Sequence, residues 1–238
     1  TCIMKRIVWI DTLKGVAMLM IVGVHASIVL PLPAWMHDAS TIGATGVQLF
    51  FLLSSYCLCL TWKGEEFSFQ WILRKYKRLA PWYFTGIVLY CLLAYMHIGP
   101  VSKEAYSIFN IAANILFING FIPSAQNSVV PGGWSISCIA LFAVVFPLLA
   151  RLSTRCIIAL GAVGCMMTFS LYALFDWSRL FAYRMPMNQF SVFALGVYLF
   201  RHKDHVSSGV AGFALVVCVA LALVTVLFLR GWECVLFF

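Results

Sequence analysis

Apolar runs of roughly bilayer length recur along this chain, and its charges sit in the short stretches between them. The runs are Ile10 to Leu30, Gly43 to Trp62, Ala80 to Ile98, Trp134 to Leu149, Cys156 to Phe175, Gln189 to Phe200 and Val206 to Leu229. About 20 apolar residues in a helix cross a hydrocarbon core of roughly 30 Å. Composition agrees: 63% of the residues are hydrophobic and only 10% charged, where a soluble domain carries about a quarter charged residues. The reading is all-α, a polytopic transmembrane bundle of about seven spans plus one interfacial or peripheral helix, with no soluble domain, repeat or linker. The net charge of +8 argues for topology and anionic ligands rather than nucleic acid, because the basic residues gather in short loops.

Those loops predict an orientation. Lys5 and Arg6 precede the first span, and the loop from Pro31 to Ile42 has no Lys or Arg, so the N-terminus is expected in the cytoplasm and this loop, with His37, outside. Lys63, Arg74, Lys75, Lys77 and Arg78 then form a basic cytoplasmic loop, with Pro81 near the start of the third span. Lys103 to Gly120 is interrupted by Asn110, Asn114 and Asn119 and is expected to lie in the interface or against the bundle without spanning. Phe121 to Gly133 then reads as an external loop, Arg151 and Arg155 as internal, and Trp177 to Asn188, with Arg179 and Arg184, as external.

Three ionisable residues lie in the first run: Asp11, Lys14 and His25. Charges in a bilayer cost several kcal/mol and usually serve function. Lys14 and His25 are eleven residues apart, about three helical turns, so they share a face at depths differing by roughly 16 Å. The run keeps these groups and lacks a small-residue cleavage site, so it reads as a helix rather than a signal peptide. His25 is a candidate general base, since imidazole titrates near neutral pH. The competing reading is a core histidine bonded to a neighbouring helix. Asp11 can pair with Lys14 at i+3. Lys14 is either a snorkelling span end or a cation for phosphate or an oxyanion. Ser54, Ser135 and Ser137 read as packing or backbone-bonding serines before nucleophiles. The nine cysteines show no Cys-x-x-Cys pair and read as small buried hydrophobes. His202 and His205 have metal-like spacing but too few partners, so no metal is expected.

These residues resemble the acyltransferase 3 family of membrane O-acyltransferases. The resemblance is carried by Asp11-Thr-Leu-Lys14 with His25, by Gly46-Val-x-Leu-Phe-Phe-x-Leu-Ser54, by Arg74-Lys-Tyr-Lys-Arg78-Leu-Ala-Pro81, and by Trp134-Ser-Ile-Ser followed by Phe142 and Pro147. Phe193-Ala-Leu-Gly196 also fits. The resemblance implies transfer of an acyl group, acetyl foremost, from cytoplasmic acyl-CoA to a hydroxyl of an extracytoplasmic carbohydrate, cell-envelope or lipid-linked. No cofactor stays bound; acetyl-CoA or another acyl-CoA is the donor substrate, and the other partners are membrane lipid and the acceptor, not nucleic acid. It implies catalysis by His25, donor binding by Lys14, Arg74, Lys75 and Arg78, and orienting or structural roles for Asp11, Trp134 and Ser135. The location implied is the bacterial inner membrane. Residues 1–238 are expected to be one integral-membrane domain lacking the family's last spans. The sequence departs from the family pattern at Lys14, where Arg is commoner, at Ser55 for Gly, at Ile139 for Glu and at Ala143 for an aromatic residue. Ile139 and Ala143 keep a non-catalytic homologue as an alternative. A small-molecule transporter using the path from Lys14 to His25 is another, although no related halves are visible.

Overall fold

The computed structural model describes residues 7–31, 33, 36, 40, 42–98, 103–175 and 179–203, and among these there is helix and no strand. Eight α-helices follow in order: α1 Val8–Val29, α2 Gly46–Thr61, α3 Phe69–Tyr95, α4 Ile108–Ile115, α5 Gly133–Ala150, α6 Thr154–Phe175, α7 Arg179–Arg184 and α8 Pro186–Arg201. Three described stretches are both long and apolar enough to cross a bilayer: Val8–Ser27, Gly43–Thr61 and Gly133–Ala150. Seven were expected. The third and sixth helices are longer still, but α3 carries four cations in its first turns, and the apolar part of α6 is the shorter Thr154–Thr168. His37, His205 and the expected span Val206 to Leu229 lie outside the described residues.

The basic stretch is not a loop. Ser68 caps α3 by accepting the Trp71 backbone N–H at 3.2 Å, and the helix then runs unbroken through Arg74, Lys75, Lys77 and Arg78. Pro81, expected at a helix start, lies about three turns inside it. A proline leaves the carbonyl four residues earlier without its helical donor. Here that carbonyl belongs to Lys77, and both Lys77 and Pro81 are exposed.

The chain divides into two compact units, Thr1–Cys57 with Leu195–Phe238 and Leu58–Ala194. In the first, α1 meets the turn Ile42–Thr45 and α2 at glycines. A Cβ on Gly43 would strike the Met20 carbonyl, and one on Gly46 would lie 2.7 Å from the Ala17 carbonyl. Gly196 is equally confined, against Ser55 Oγ and the Leu52 carbonyl. Ser55 is fully buried and donates to that same carbonyl at 2.8 Å, so its hydroxyl is satisfied where the family has glycine. Without a hydrophobic force between helices in lipid, such close backbone approach is what holds them. Tyr56 adds edge contacts to Trp9 and Phe200 at 5.5 and 5.3 Å.

In the second unit, Phe142, Phe146 and Phe193 are buried, with Phe142 and Phe193 ring centroids 4.6 Å apart. Gly161 and Gly164 of α6 admit the backbone of Ser191 and Met187. Lys103 to Gly120 does not span: its longest helix, α4, has eight residues, about 12 Å. Asn110, Asn114 and Asn119 are all buried, as the non-spanning reading requires. The stretch from Phe121 to Gly133, expected to be an external loop, is irregular and partly buried. Ala125, Gln126 and Val129 are buried in it. Gln126 Nε2 donates to the Gly120 and Phe181 carbonyls at 3.1 and 3.2 Å, which draws the segment inward. Arg179 to Arg184, also read as loop, is the short helix α7.

Helices α3 and α4 end alike, on a residue with positive φ that is not glycine: His97 at 56° and Phe117 at 58°. In both, the next N–H reaches back to close the end, Ile98 to Leu93 at 2.9 Å and Ile118 to Ala113 at 3.0 Å. Phe117 is held there by its ring, stacked on Tyr83 at 5.3 Å. The exposed His97 has no such compensation. Replacing His97 by Gly should therefore raise unfolding stability by about 0.5–1 kcal/mol, since only the side chain's steric cost in the left-handed region is removed. A lower melting temperature in detergent would contradict this.

Candidate functional site

Helix α1 is continuous from Val8 to Val29, so Lys14 and His25 keep the separation of roughly 16 Å along one face that an ideal helix gives them. Lys14 is half-buried, and its Nζ donates to Cys57 Sγ of α2 at 3.3 Å. It is tied to a neighbouring helix rather than stretched toward a headgroup. His25 is exposed and makes no hydrogen bond to a described residue. Asp11 is exposed in the first turn of α1, where a carboxylate favours the helix dipole.

The basic turn of α3 is built in the second unit. Trp71 is 3% exposed. Its Nε1–H donates to the Ala143 carbonyl of α5 at 2.9 Å. Lys75 Nζ lies over the indole at 3.9 Å from the ring centroid, and the Arg74 guanidinium lies at 5.6 Å. Burial lowers the Lys75 ammonium pKa, the Arg78 and Arg74 charges lower it further, and Glu65 opposes them. The Glu65 carboxyl is lowered in turn, first by a hydrogen bond from the Lys63 backbone and then by Lys75 and Arg74. Arg78 and Lys77 are exposed on the same helix. Arg151, just past α5, reaches Glu66 at 3.5 Å. An exposed pair of this kind adds little stability, but it puts the end of α5 beside the segment that leads into α3.

Trp134 and Ser135 lie in the first turn of α5, and Ala143 lies nine residues on, about 13 Å along the axis. The two groups of expected site residues therefore meet one helix about 13 Å apart. Trp134 is buried, with its ring edge-on to Tyr183 at 5.8 Å. Ser135 Oγ donates to the Gly132 carbonyl at 2.8 Å. Ser137 Oγ accepts the Gly120 N–H at 3.1 Å. Arg184 is half-buried, and that burial lowers its pKa against the opposing influence of Tyr183. Ile139 is half-buried on α5.

Two features escaped the sequence reading. One is Trp71, for which the capping Ser68 three residues earlier was the available signal. The other is a polar layer around Asn114. Tyr83 donates its hydroxyl to Asn114 Oδ1 at 2.6 Å. Asn114 Nδ2 donates to the Asn110 carbonyl at 2.8 Å and to the Ala125 carbonyl at 3.4 Å. Gly133 lies so close that a Cβ there would collide with the Tyr83 hydroxyl.

Every motif that carried the resemblance therefore sits on a helix, and each has a structural partner or a defined exposure. No curated protein and no solved structure matches the chain. The model of the acyltransferase 3 family, an acyltransferase domain, matches residues 7–235. With its apolar helices and a match over nearly its whole length, the chain belongs to the acyltransferase 3 family and is an integral membrane protein.

Proposed function

We propose that the protein transfers an acyl group, acetyl foremost, from cytoplasmic acyl-CoA to a hydroxyl of an extracytoplasmic carbohydrate that is part of the cell envelope or carried on a lipid. The observation that carries the reading is the single unbroken helix that bears a half-buried cation, Lys14, and an exposed imidazole, His25, on one face. Arg74, Lys75 and Arg78 take the CoA phosphates, which guanidinium forks match well. The nucleotide is too polar to enter the membrane, but the pantetheine arm is thin and brings the thioester inward. Lys14 binds the donor near its entry, about 16 Å along the helix from where His25 meets the thioester carbonyl. His25 accepts the proton of the acceptor hydroxyl as its oxygen attacks that carbonyl. The C–S bond then breaks, CoA leaves as the thiolate, and the imidazolium gives up its proton to solvent or thiolate. Asp11 and Ser135 are structural, as is Trp134, whose buried ring steadies the start of α5 against Tyr183.

The orientation goes with this reading: N-terminus and basic turn in the cytoplasm, Arg184 outside, and the bacterial inner membrane as the location. The pairing of Arg151 with Glu66 supports the placement of Arg151 on the same side as Arg74 and Arg78.

Replacing Arg78 by Ala should raise the acyl-CoA Kd by the loss of a charge-assisted hydrogen bond, roughly 1.5–3 kcal/mol, and leave the acceptor KM unchanged. Equal weakening of donor and acceptor in a well-folded variant assigns Arg78 a structural role. A second reading, a non-catalytic homologue, draws on Ile139 and Ala143. The purified protein decides between the two: turnover of acyl-CoA with a carbohydrate acceptor supports the first, and donor binding without turnover supports the second.

A further inference from the structure

We propose that Trp71 is a positioning residue for the acyl donor: its indole presents Lys75 and Arg74 to the phosphates of acyl-CoA. This rests on the donor reading above and adds the group that holds the cations in place. The ring is fixed from behind. Its Nε1–H bonds the Ala143 carbonyl at 2.9 Å within the protein interior. That carbonyl is available because the residue four positions on is Pro147, which has no N–H to close the helical bond. Pro147 thus frees an acceptor on α5, and Trp71 of α3 uses it. A donor that bonds a carbonyl the helix cannot satisfy removes a buried-polar penalty, so the ring has one strongly preferred position.

The ring is also used from the front. Lys75 Nζ stands 3.9 Å and the Arg74 guanidinium 5.6 Å from its centroid. Long cationic side chains lose rotamer freedom when they grip a ligand, and pre-ordering removes part of that cost before binding. An aromatic face holds a cation without neutralising it. A carboxylate in the same place would compete with phosphate; an uncharged indole does not. This is how a ring suits a phosphate clamp better than an ion pair does.

The test is donor binding by the full-length protein in detergent, with acetyl-CoA and with acetyl-pantetheine, which carries the same thioester but neither nucleotide nor its phosphates. Trp71→Leu should weaken acetyl-CoA about tenfold and leave acetyl-pantetheine within about twofold, because only the cations lose their support. Trp71→Phe keeps an aromatic face and loses the N–H bond; it should show the same selectivity at about threefold, and it decides the matter if the leucine variant does not fold. If the Trp71 variants weaken both donors equally, Trp71 is only an anchor between α3 and α5 and the proposal is overturned. If Arg74→Ala and Lys75→Ala weaken acetyl-CoA selectively while the Trp71 variants do not, the clamp stands and the role of Trp71 falls. If neither cation variant distinguishes the two donors, the donor reading itself fails.

Discussion

Replacing His25 by Ala is expected to lower kcat by a factor of 10²–10⁴, the usual contribution of a positioned general base. Expression and thermal stability should stay near those of the parent. The two halves of this expectation come from different observations. The size of the rate loss comes from the chemistry of taking a hydroxyl proton near neutral pH. The preserved stability comes from the structure: the ring is exposed and bonds no described residue, so its removal leaves no cavity and strands no buried group. His25→Gln should not restore the rate, because an amide can hydrogen-bond a hydroxyl but cannot take its proton. Turnover of purified variants at saturating acyl-CoA measures this. Near-normal turnover by the Gln variant would make His25 a binding contact and send the search for the base elsewhere.

The second large effect is on stability. Asn114 is fully buried and serves three groups at once: it accepts from the Tyr83 hydroxyl and donates to the carbonyls of Asn110 and Ala125. Truncation to Ala strands the Tyr83 hydroxyl and removes one donor to the Ala125 carbonyl, which keeps the Ser128 hydroxyl at 3.1 Å. A stranded group costs about 1–3 kcal/mol and a lost hydrogen bond about 1 kcal/mol, so a loss of about 2–4 kcal/mol is expected. Tyr83→Phe removes one partner cleanly and should cost about 1–2 kcal/mol. Because the two residues share a bond, the double variant should be more stable than the sum of the single losses predicts, by about 1 kcal/mol or more. Thermal unfolding of the four proteins in one detergent closes the cycle. Single losses below about 0.5 kcal/mol that simply add would mean that water replaces these bonds and that the polar layer does not hold the fold.

What the sequence settled by itself was set by composition and local spacing. Long apolar runs with charges between them have few ways to satisfy a backbone in lipid, so helices followed directly. The common face of Lys14 and His25 followed from helical period alone, and the unbroken α1 preserves it. Three asparagines in Lys103 to Gly120 were enough to remove that segment from the spanning set, since buried amides need partners that lipid does not offer. The same asparagines did not reveal their partners, because Tyr83 lies 31 residues before Asn114 and no local pattern joins them.

Only tertiary structure decided the rest. The basic residues from Arg74 to Arg78 read as a loop because dense positive charge marks cytoplasmic loops and Pro81 marks a helix start. Packing overrides both signals: Trp71 is buried with Lys75 and Arg74 lying over its ring, and Ala80 and Tyr83 are buried further along the same helix. The ends of α3 and α4 carry His97 and Phe117 where a glycine would have been legible. Their left-handed backbone is held by reach-back hydrogen bonds and, for Phe117, by ring stacking that forms only on folding. Trp71 is the clearest case. Its importance depends on Pro147 freeing a carbonyl 72 residues further along the chain, and a proline's effect on a distant donor exists only when the two helices lie side by side.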